Sequence, residues 1–352
     1  MRLNSQGFLK AIVEEAGVSG YEGRVGEIVR QAFAGLCDTV QEDKLGNVIG
    51  LKKGAGSQCS PSIMLAGHMD EVGLTVTAID KRGYLKFSGP GIDQRTLPSQ
   101  EVVVHGVKDL PGVICVKPPH LLKPEDREKA YKTEDLGIDV GLPEGRVREL
   151  VSVGDSVTLA RKFYNLQGDF VAGKAFDDRA GVAVIHECLL QLANMKHVAD
   201  VYAVATVQEE VGLRGATTAT YGIVPDIGIA IDVGFGSQPG SDDHREIALD
   251  KGPGLDLGGN IHPKILEALR RVASEHGIPY QTVVTPGRSG TDAWSMQVTR
   301  AGVPTALISI PTRYMHSSVE VCNMNDIKRA GRLLALFIQT VDRFFVEGLA
   351  CC

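Results

Sequence analysis

The stretch Val171-Ala-Gly-Lys-Ala-Phe-Asp177-Asp178-Arg179-Ala-Gly181 lies near the middle of the 352-residue chain. It joins an extended segment to residues 180–190, whose apolar side chains recur at helical spacing. Adjacent aspartates at a helix start have a simple structural explanation, because their oxygens accept hydrogen bonds from the free N–H groups of the first turn. Any chemical role for Asp177 and Asp178 must be weighed against such a capping pair.

Further acids and imidazoles follow apolar, β-branched runs elsewhere in the chain. The segments that carry them are Gly67-His68-Met69-Asp70-Glu71, Gln208-Glu209-Glu210-Val211-Gly212, Ala230-Ile231-Asp232-Val233 and Arg313-Tyr314-Met315-His316-Ser317-Ser318. Ligands of open α/β sheets collect at the carboxyl ends of the strands. Two imidazoles and several carboxylates placed there can build a two-metal hydrolytic centre that shares one carboxylate.

Each of these residues also has a structural interpretation. A single histidine such as His68 is more often a hydrogen-bonded core residue, but Asp70 can hold its second ring nitrogen, as metal-bound histidines require. Glu209 and Glu210 could cap a turn in contact with solvent. Two acids that end a buried strand are costly, however, unless cations or pKa shifts neutralise them. The same argument applies to Asp232.

Composition excludes several classes of function. The net charge is −6, with 43% hydrophobic and 23% charged residues, which is ordinary for a globular protein. No basic stripe predicts binding to nucleic acid, and no run approaches the ~18 apolar residues of a membrane span. The seven cysteines show no C-x-x-C spacing. We expect a cytoplasmic protein, with no role for Cys351 and Cys352 and with Asp242-Asp243-His244 in solvent.

Residues 73–163 differ from the rest of the chain in the length and spacing of their apolar runs. Their β-rich runs are short and separated by Gly, Pro and Asp, without a comparably apolar helical run, which is typical of a small barrel or sandwich. Strands and helices alternate on either side. We therefore predict an α/β domain from residues 1–72 and 164–350, interrupted by a β domain at 73–163. Among its elements we predict strands at 62–68, 201–208, 226–233, 246–249, 279–284 and 304–310, and a final helix at 326–345.

Nucleophilic and phosphate-binding motifs are missing from the sequence. Residues 287–290 lack the spacing of a Gly-x-Ser-x-Gly elbow, and residues 252–258 match neither a P-loop nor a dinucleotide fingerprint. A glycosidase needs two carboxylates that face each other across a sugar. Glu209 and Glu210 are chain neighbours, and that mechanism leaves both histidines unexplained.

Taken together, the motifs closely resemble the M42 family of metallo-aminopeptidases, which includes glutamyl and deblocking aminopeptidases and the tetrahedral (TET) peptidases. The resemblance rests on the segments quoted above together with Gly17-Val-Ser-Gly-Tyr-Glu22, Lys174-Ala-Phe-Asp-Asp-Arg179 and Gly290-Thr-Asp-Ala293. It implies a phosphorylase/hydrolase-like α/β catalytic domain with a mixed sheet flanked by helices. It also implies that the insertion is a small PDZ-like β-barrel that forms dimers.

The resemblance further implies a set of site residues. Two divalent cations, Zn²⁺ or Co²⁺, would be held by His68, Asp177, Glu210, Asp232 and His316. Asp177 would bridge the ions, with His68 and Asp232 on one and Glu210 and His316 on the other. Glu209 would be the general base and acid, and Asp70 would orient His68. The peptide bond between Asp177 and Asp178 is expected to be cis.

The implied function is removal of N-terminal residues from peptides with a free α-amine. Self-association into homodimers and a tetrahedral dodecamer is implied as well, with a stable dimer as the alternative. A co-catalytic metal carboxypeptidase or deacylase, which would need a basic pocket, and a non-catalytic metal-binding protein remain open. Residues 252–260, 285–292 and 311–314 are expected to line the side-chain pocket, where Arg288 and Arg313 either attract acidic side chains or brace loops.

Overall fold

A mixed eight-stranded sheet is the centre of the larger part of the protein. The computed structural model describes residues 3–56, 60–89, 91–126, 128–241 and 245–349. The expectations for Asp242-Asp243-His244, Cys351 and Cys352 fall outside those residues. The helices are α1 (Ser5–Glu14), α2 (Gly23–Ala34), α3 (Glu144–Leu150), α4 (Phe176–Leu192), α5 (Arg214–Ile223), α6 (Pro263–Glu275), α7 (Asp292–Gln297), α8 (Met324–Thr340) and α9 (Arg343–Glu347).

The strands divide among this sheet, a three-stranded sheet and a closed barrel. The large sheet contains β1 (Thr39–Glu42), β2 (Val48–Lys52), β3 (Ser62–His68), β12 (Asp200–Thr206), β13 (Ile227–Phe235), β14 (Gly254–Leu257), β15 (Gln281–Val284) and β16 (Thr305–Thr312). The small sheet contains β10 (Tyr164–Asn165), β11 (Phe170–Gly173) and β17 (Glu320–Asn323). The barrel contains β4 (Leu74–Ile79), β5 (Leu85–Ser88), β6 (Glu101–His105), β7 (Asp109–Cys115), β8 (Gly137–Asp139) and β9 (Ser156–Leu159).

The middle of the large sheet is parallel. Its order is β1-β2-β12-β3-β13-β16-β14-β15, and β12, β3, β13 and β16 run in the same direction. After its first residue, β3 is buried throughout, as expected for a central strand covered on both faces. Helix α4 packs against β3 and β13 on one side and against α8. The parallel strands therefore end at one common edge of the sheet.

The inserted barrel has its own hydrophobic core, which is separate from that of the α/β part. Its strand order is β4-β5-β8-β7-β6-β9, closed by the pairing of β9 with β4. Contacts with the α/β part include the ion pair between Arg24 and Asp109, at 2.8 Å, and the Tyr21 hydroxyl, which donates to the Gly154 carbonyl. The fold class expected from the resemblance, a mixed sheet flanked by helices plus a small barrel, is confirmed.

Several short elements differ from the predictions. The strand predicted at 246–249 is wrong, since Ile247 forms only an isolated bridge with Gly236 and the sheet continues with β14, which takes the place beside β16. Helices α3 and α7 and strand β17 were not predicted. The helix predicted at 326–345 breaks at Val341, whose backbone is extended, and Asp342 caps α9. No described helix combines the length and the apolarity that a membrane span requires.

Candidate metal centre

The predicted site residues come together at the carboxyl edge of the parallel strands. His68 is the last residue of β3, and Asp232 lies near the end of the neighbouring β13. Glu209 and Glu210 follow β12, and His316 follows β16. The adjacency of these strands brings together side chains that lie far apart in the sequence.

The two adjacent aspartates have different roles: Asp178 caps the helix, and Asp177 faces the cavity. Asp178 accepts from the main-chain N–H of Gly181 at 3.0 Å and from that of His68 at 3.2 Å, so it is the residue that caps the helix. A side chain at Gly181 would collide with this carboxylate, since its Cβ would lie 2.4 Å from an Asp178 oxygen. The peptide bond between Asp177 and Asp178 is cis. Asp177 makes no such cap and points into the cavity instead.

Asp177 lies between two imidazoles. His68 Nε2 is 3.1 Å from Asp177 Oδ1, and His316 Nε2 is 3.1 Å from Asp177 Oδ2. Glu210 Oε1 lies 3.3 Å from His316 Nε2, and Glu209 Oε2 lies 3.8 Å from His68 Nε2. Each oxygen of one buried carboxylate therefore faces a different histidine, which is the arrangement that a shared ligand of two ions requires.

The donor atoms fit divalent cations. Within the described residues, the groups that converge to within 4.8 Å are His68, Asp177 and Asp232; Asp177, Glu210 and His316; and His68, Glu209 and Glu210. The first two groups share Asp177. Glu210 Oε1 is buried and has His316 Nε2, at 3.3 Å, as its polar neighbour. Mixed imidazole and carboxylate ligands suit Zn²⁺ and Co²⁺.

Electrostatics also favours cations at this place. Burial, reinforced by the negative charge of Asp232, raises the pKa of Glu209 to about 10. Burial likewise raises the pKa of Asp232 well above its usual value. Hydrogen bonds to Asp177 and Glu210 raise the pKa of His316 to about 11. These acids therefore cannot all be ionised at neutral pH unless bound cations neutralise them.

Asp70 lies behind His68. One of its oxygens is 3.4 Å from His68 Nδ1, whose nearer neighbour is the Asp70 carbonyl at 3.2 Å. The same carboxylate accepts from the Ser19 hydroxyl at 2.6 Å and from the main-chain N–H groups of Glu209 and Glu210 at 3.0 and 3.3 Å. Asp70 thus contacts the segments that carry three predicted site residues.

Two buried acids of the site were not predicted individually. Glu320 accepts from the main-chain N–H groups of Asp177 and His316, and burial raises its pKa to about 8. Asp292 accepts from the Thr206 hydroxyl at 2.6 Å, and burial raises its pKa to about 6. Only the Gly-Thr-Asp-Ala motif signalled Asp292, and Glu320 had no signal beyond its place four residues after His316.

The cavity beside these residues measures about 250 Å³. Apart from the acids and histidines, its lining is neutral and consists of Val233, Gly234, Phe235, Ser289, Gly290, Thr291 and Met315. Of the ranges expected to line a side-chain pocket, only 285–292 contributes to this lining. Arg288 lies over the Trp294 ring, and Arg313 donates to the Ser237 carbonyl. Neither arginine is a lining residue of the cavity as described.

Comparisons with known proteins agree with this geometry. The family model described as M42 glutamyl aminopeptidase matches residues 46–333. The lysyl aminopeptidase of Pyrococcus furiosus is 38% identical over 94% of this chain and 96% of its own. A TET aminopeptidase from a marine-sediment Thaumarchaeota archaeon is 37% identical, with a TM-score of 0.93 over 98% of this chain and 99% of its own. The TET1 peptidase of Pyrococcus horikoshii, which can assemble into a tetrahedron or a large octahedral shell, is 31% identical, with a TM-score of 0.84 over 96% of this chain and 100% of its own. From its fold, its converging acids and histidines and these similarities, we conclude that the chain is an enzyme of the M42 aminopeptidase family.

Proposed function

We propose that the protein removes N-terminal residues from peptides with two divalent cations, Zn²⁺ or Co²⁺. His68 and Asp232 would hold one cation, Glu210 and His316 would hold the other, and Asp177 would be a ligand of both. The observation that carries the proposal is the position of Asp177, whose two oxygens each lie 3.1 Å from a different imidazole. Bound cations of this kind lower the pKa of water and polarise a carbonyl group.

Glu209 is the general base in this proposal. It is buried and lies beside His68. With cations bound beside it to keep it ionised, its carboxylate would take a proton from the attacking water and return it to the leaving amine. Asp70 supports this role because it holds both the main-chain N–H of Glu209 and the second nitrogen of His68. The negative charge around the cavity attracts a free α-ammonium group, which limits cleavage to the first residue.

A carboxypeptidase or deacylase of related metal layout is the second candidate. It would need a cationic group to bind the substrate carboxylate. The described lining of the cavity contains acids, two histidines and neutral residues, which favours an amine-binding site. A non-catalytic metal-binding role would leave the buried Glu209 without a purpose.

The experiment is hydrolysis of a panel of aminoacyl-p-nitroanilides by the metal-free chain, to which Zn²⁺ or Co²⁺ is added back. N-acetylated versions of the same compounds are the matched controls. We expect hydrolysis to require metal and a free amine. Equal rates on acetylated and free substrates would refute an aminopeptidase and favour a deacylase or endopeptidase.

We also propose that the barrel at residues 73–163 forms dimers and that the dimers assemble into a tetrahedral dodecamer. The assembly of the Pyrococcus horikoshii relative supports this, as does the independent core of the barrel. The catalytic cavities would then face an enclosed space, so that peptides reach them more readily than folded proteins do.

A further inference from the structure

Glu320 uses both of its carboxylate oxygens to hold the backbone of two predicted metal ligands. Its Oε1 accepts the main-chain N–H of His316 at 3.0 Å, and its Oε2 accepts that of Asp177 at 3.1 Å. The residue is 2% exposed, so solvent cannot replace either bond. An unsatisfied buried N–H is costly, and both segments therefore depend on this one side chain.

The position of Glu320 follows from the small sheet. Strand β17 begins at Glu320 and pairs with β11, where Glu320 lies opposite Gly173. Strand β11 runs directly towards Asp177. On the other side, Val321 forms a bridge with Arg313, at the start of the turn that contains His316. Glu320 thus lies where the two ligand-bearing segments meet.

His316 needs such support more than the other histidine does. Its side chain is 36% exposed, whereas that of His68 is 2% exposed. Its backbone is left-handed, with φ of 60°, a conformation that residues with side chains rarely adopt. Its ring is held through Nδ1 by the Gly91 carbonyl of the barrel, at 3.0 Å. The bond from its main-chain N–H to Glu320 fixes the backbone of the same residue.

We propose that Glu320 is a positioning residue for the metal centre, which keeps His316 and Asp177 at the separation that the second cation requires. The inference rests on the two-cation function proposed above. The two N–H groups match the ionised carboxylate, which offers two acceptor oxygens and no donor, and cations bound beside it would favour that form. In a glutamine, one oxygen becomes an NH₂ group that faces an N–H, so one of the two segments must move.

The test is a calorimetric titration of Zn²⁺ into the full-length, metal-stripped chain and into its Glu320→Gln variant. We expect the wild-type chain to bind two ions and the variant to bind one of them about 10- to 100-fold more weakly, as is usual when an outer partner of a metal ligand is lost. The readout is binding, so it does not depend on the activity of the loaded enzyme.

Asp326→Asn is the matched control. Asp326 is fully buried, and its two oxygens also accept main-chain N–H groups, from Asp250 at 2.6 Å and Gly252 at 2.8 Å, besides a contact with Arg329. Asp326 is not among the cavity-lining residues. We expect Asp326→Asn to lower the melting temperature and to leave both Zn²⁺ affinities unchanged.

Each outcome decides the question. If Glu320→Gln lowers stability as the control does but keeps both affinities, Glu320 is only structural and the inference is overturned. Should Glu320→Gln fail to fold, Glu320→Asp takes its place, since it retains two acceptor oxygens on a shorter arm. A weakened second ion then supports the inference, and unchanged affinities refute it. A wild-type chain that binds fewer than two ions would refute the proposed function itself, and this inference with it.

Discussion

Asp70 Oδ1 accepts the main-chain N–H of Glu209 at 3.0 Å. The same oxygen lies 3.4 Å from His68 Nδ1, so one atom contacts both a predicted metal ligand and the backbone of the predicted base. Among the described residues, the polar contacts of the Asp70 carboxylate are with donor groups of Ser19, His68, Glu209 and Glu210. In the proposed mechanism, this one buried carboxylate therefore positions both a metal ligand and the general base.

Replacement of Asp70 by asparagine should disturb both functions. The new NH₂ group would face donors, so His68 loses its orientation and Glu209 shifts. We expect a Zn²⁺ affinity about 10- to 100-fold lower at one site, together with a lower kcat at saturating metal. Calorimetry and steady-state kinetics measure the two effects. Full recovery of kcat in excess Zn²⁺ would show that Asp70 affects only metal binding and not the position of Glu209.

Asp177→Asn should abolish metal occupancy and activity together. A bridging carboxylate offers one oxygen to each cation, and its charge offsets their repulsion, whereas an amide has one weak oxygen. Metal content after dialysis measures the loss. Asp256→Asn is the control, since Asp256 is buried and its partners in the described part of the chain are the hydroxyls of Thr285 and Ser309, which can also accept from an amide. Two ions retained in Asp177→Asn would leave Asp177 without a bridging role.

The adjacent acids Glu209 and Glu210 should respond differently to the same change. Glu209→Gln keeps the fold and both metals but cannot take a proton, so kcat should fall by roughly 10²–10⁴-fold or more. Glu210→Gln should weaken the binding of one metal, and excess Zn²⁺ or Co²⁺ should partly restore activity. The reverse pattern, with metal lost from Glu209→Gln only, would mean that the two roles are exchanged.

His186 should make the stability of the protein depend on pH. It stacks on Phe8 inside the α/β core, and burial lowers its pKa from 6.5 to about 4. The unfolded chain therefore takes up a proton first, and stability present above pH 6.5 is lost as the pH falls towards 4, by on the order of 3 kcal/mol. In His186→Phe, the difference in unfolding free energy between pH 7 and pH 4.5 should shrink. Urea titrations of this variant and of His276→Gln, an exposed control, measure it; equal shrinkage in both would contradict the assignment.

Assembly can be tested by light scattering at micromolar concentration. The proposed tetrahedral shell predicts a mass near twelve times 37.7 kDa. A sharp peak at the mass of a dimer would refute the shell while leaving the barrel as a dimerisation domain. A monomer would refute both.

Long, uniform patterns were the predictable part of this protein. The continuous apolar run before His68 predicted β3 and the delivery of that residue to the sheet edge. Helix α7 has six residues, and strands β14 and β17 have four each. Such elements are too short for the spacing of apolar residues to indicate a helix or a strand, so contacts with neighbouring elements determine their conformation.

The residues of the site can likewise be separated into those that the sequence predicted and those that it did not. Acids and imidazoles that follow apolar strands were found from the sequence, because burial of such groups demands an explanation. Glu320 is instead the first residue of its strand. Its contacts are with main-chain N–H groups, which the pattern of side chains in a sequence cannot indicate. Gly91 contributes only a carbonyl oxygen, and no sequence rule pairs it with His316.

The order of the site residues along the chain has a consequence for biosynthesis. His68 is made early, whereas His316 follows β16, which must enter the sheet between β13 and β14. Such long-range pairing forms late and slowly. A ribosome-bound chain therefore lacks the second imidazole until β16 and the turn after it have been made. We expect nascent chains that end before His316 to be inactive as hydrolases, although they already contain His68, Asp177 and Glu209.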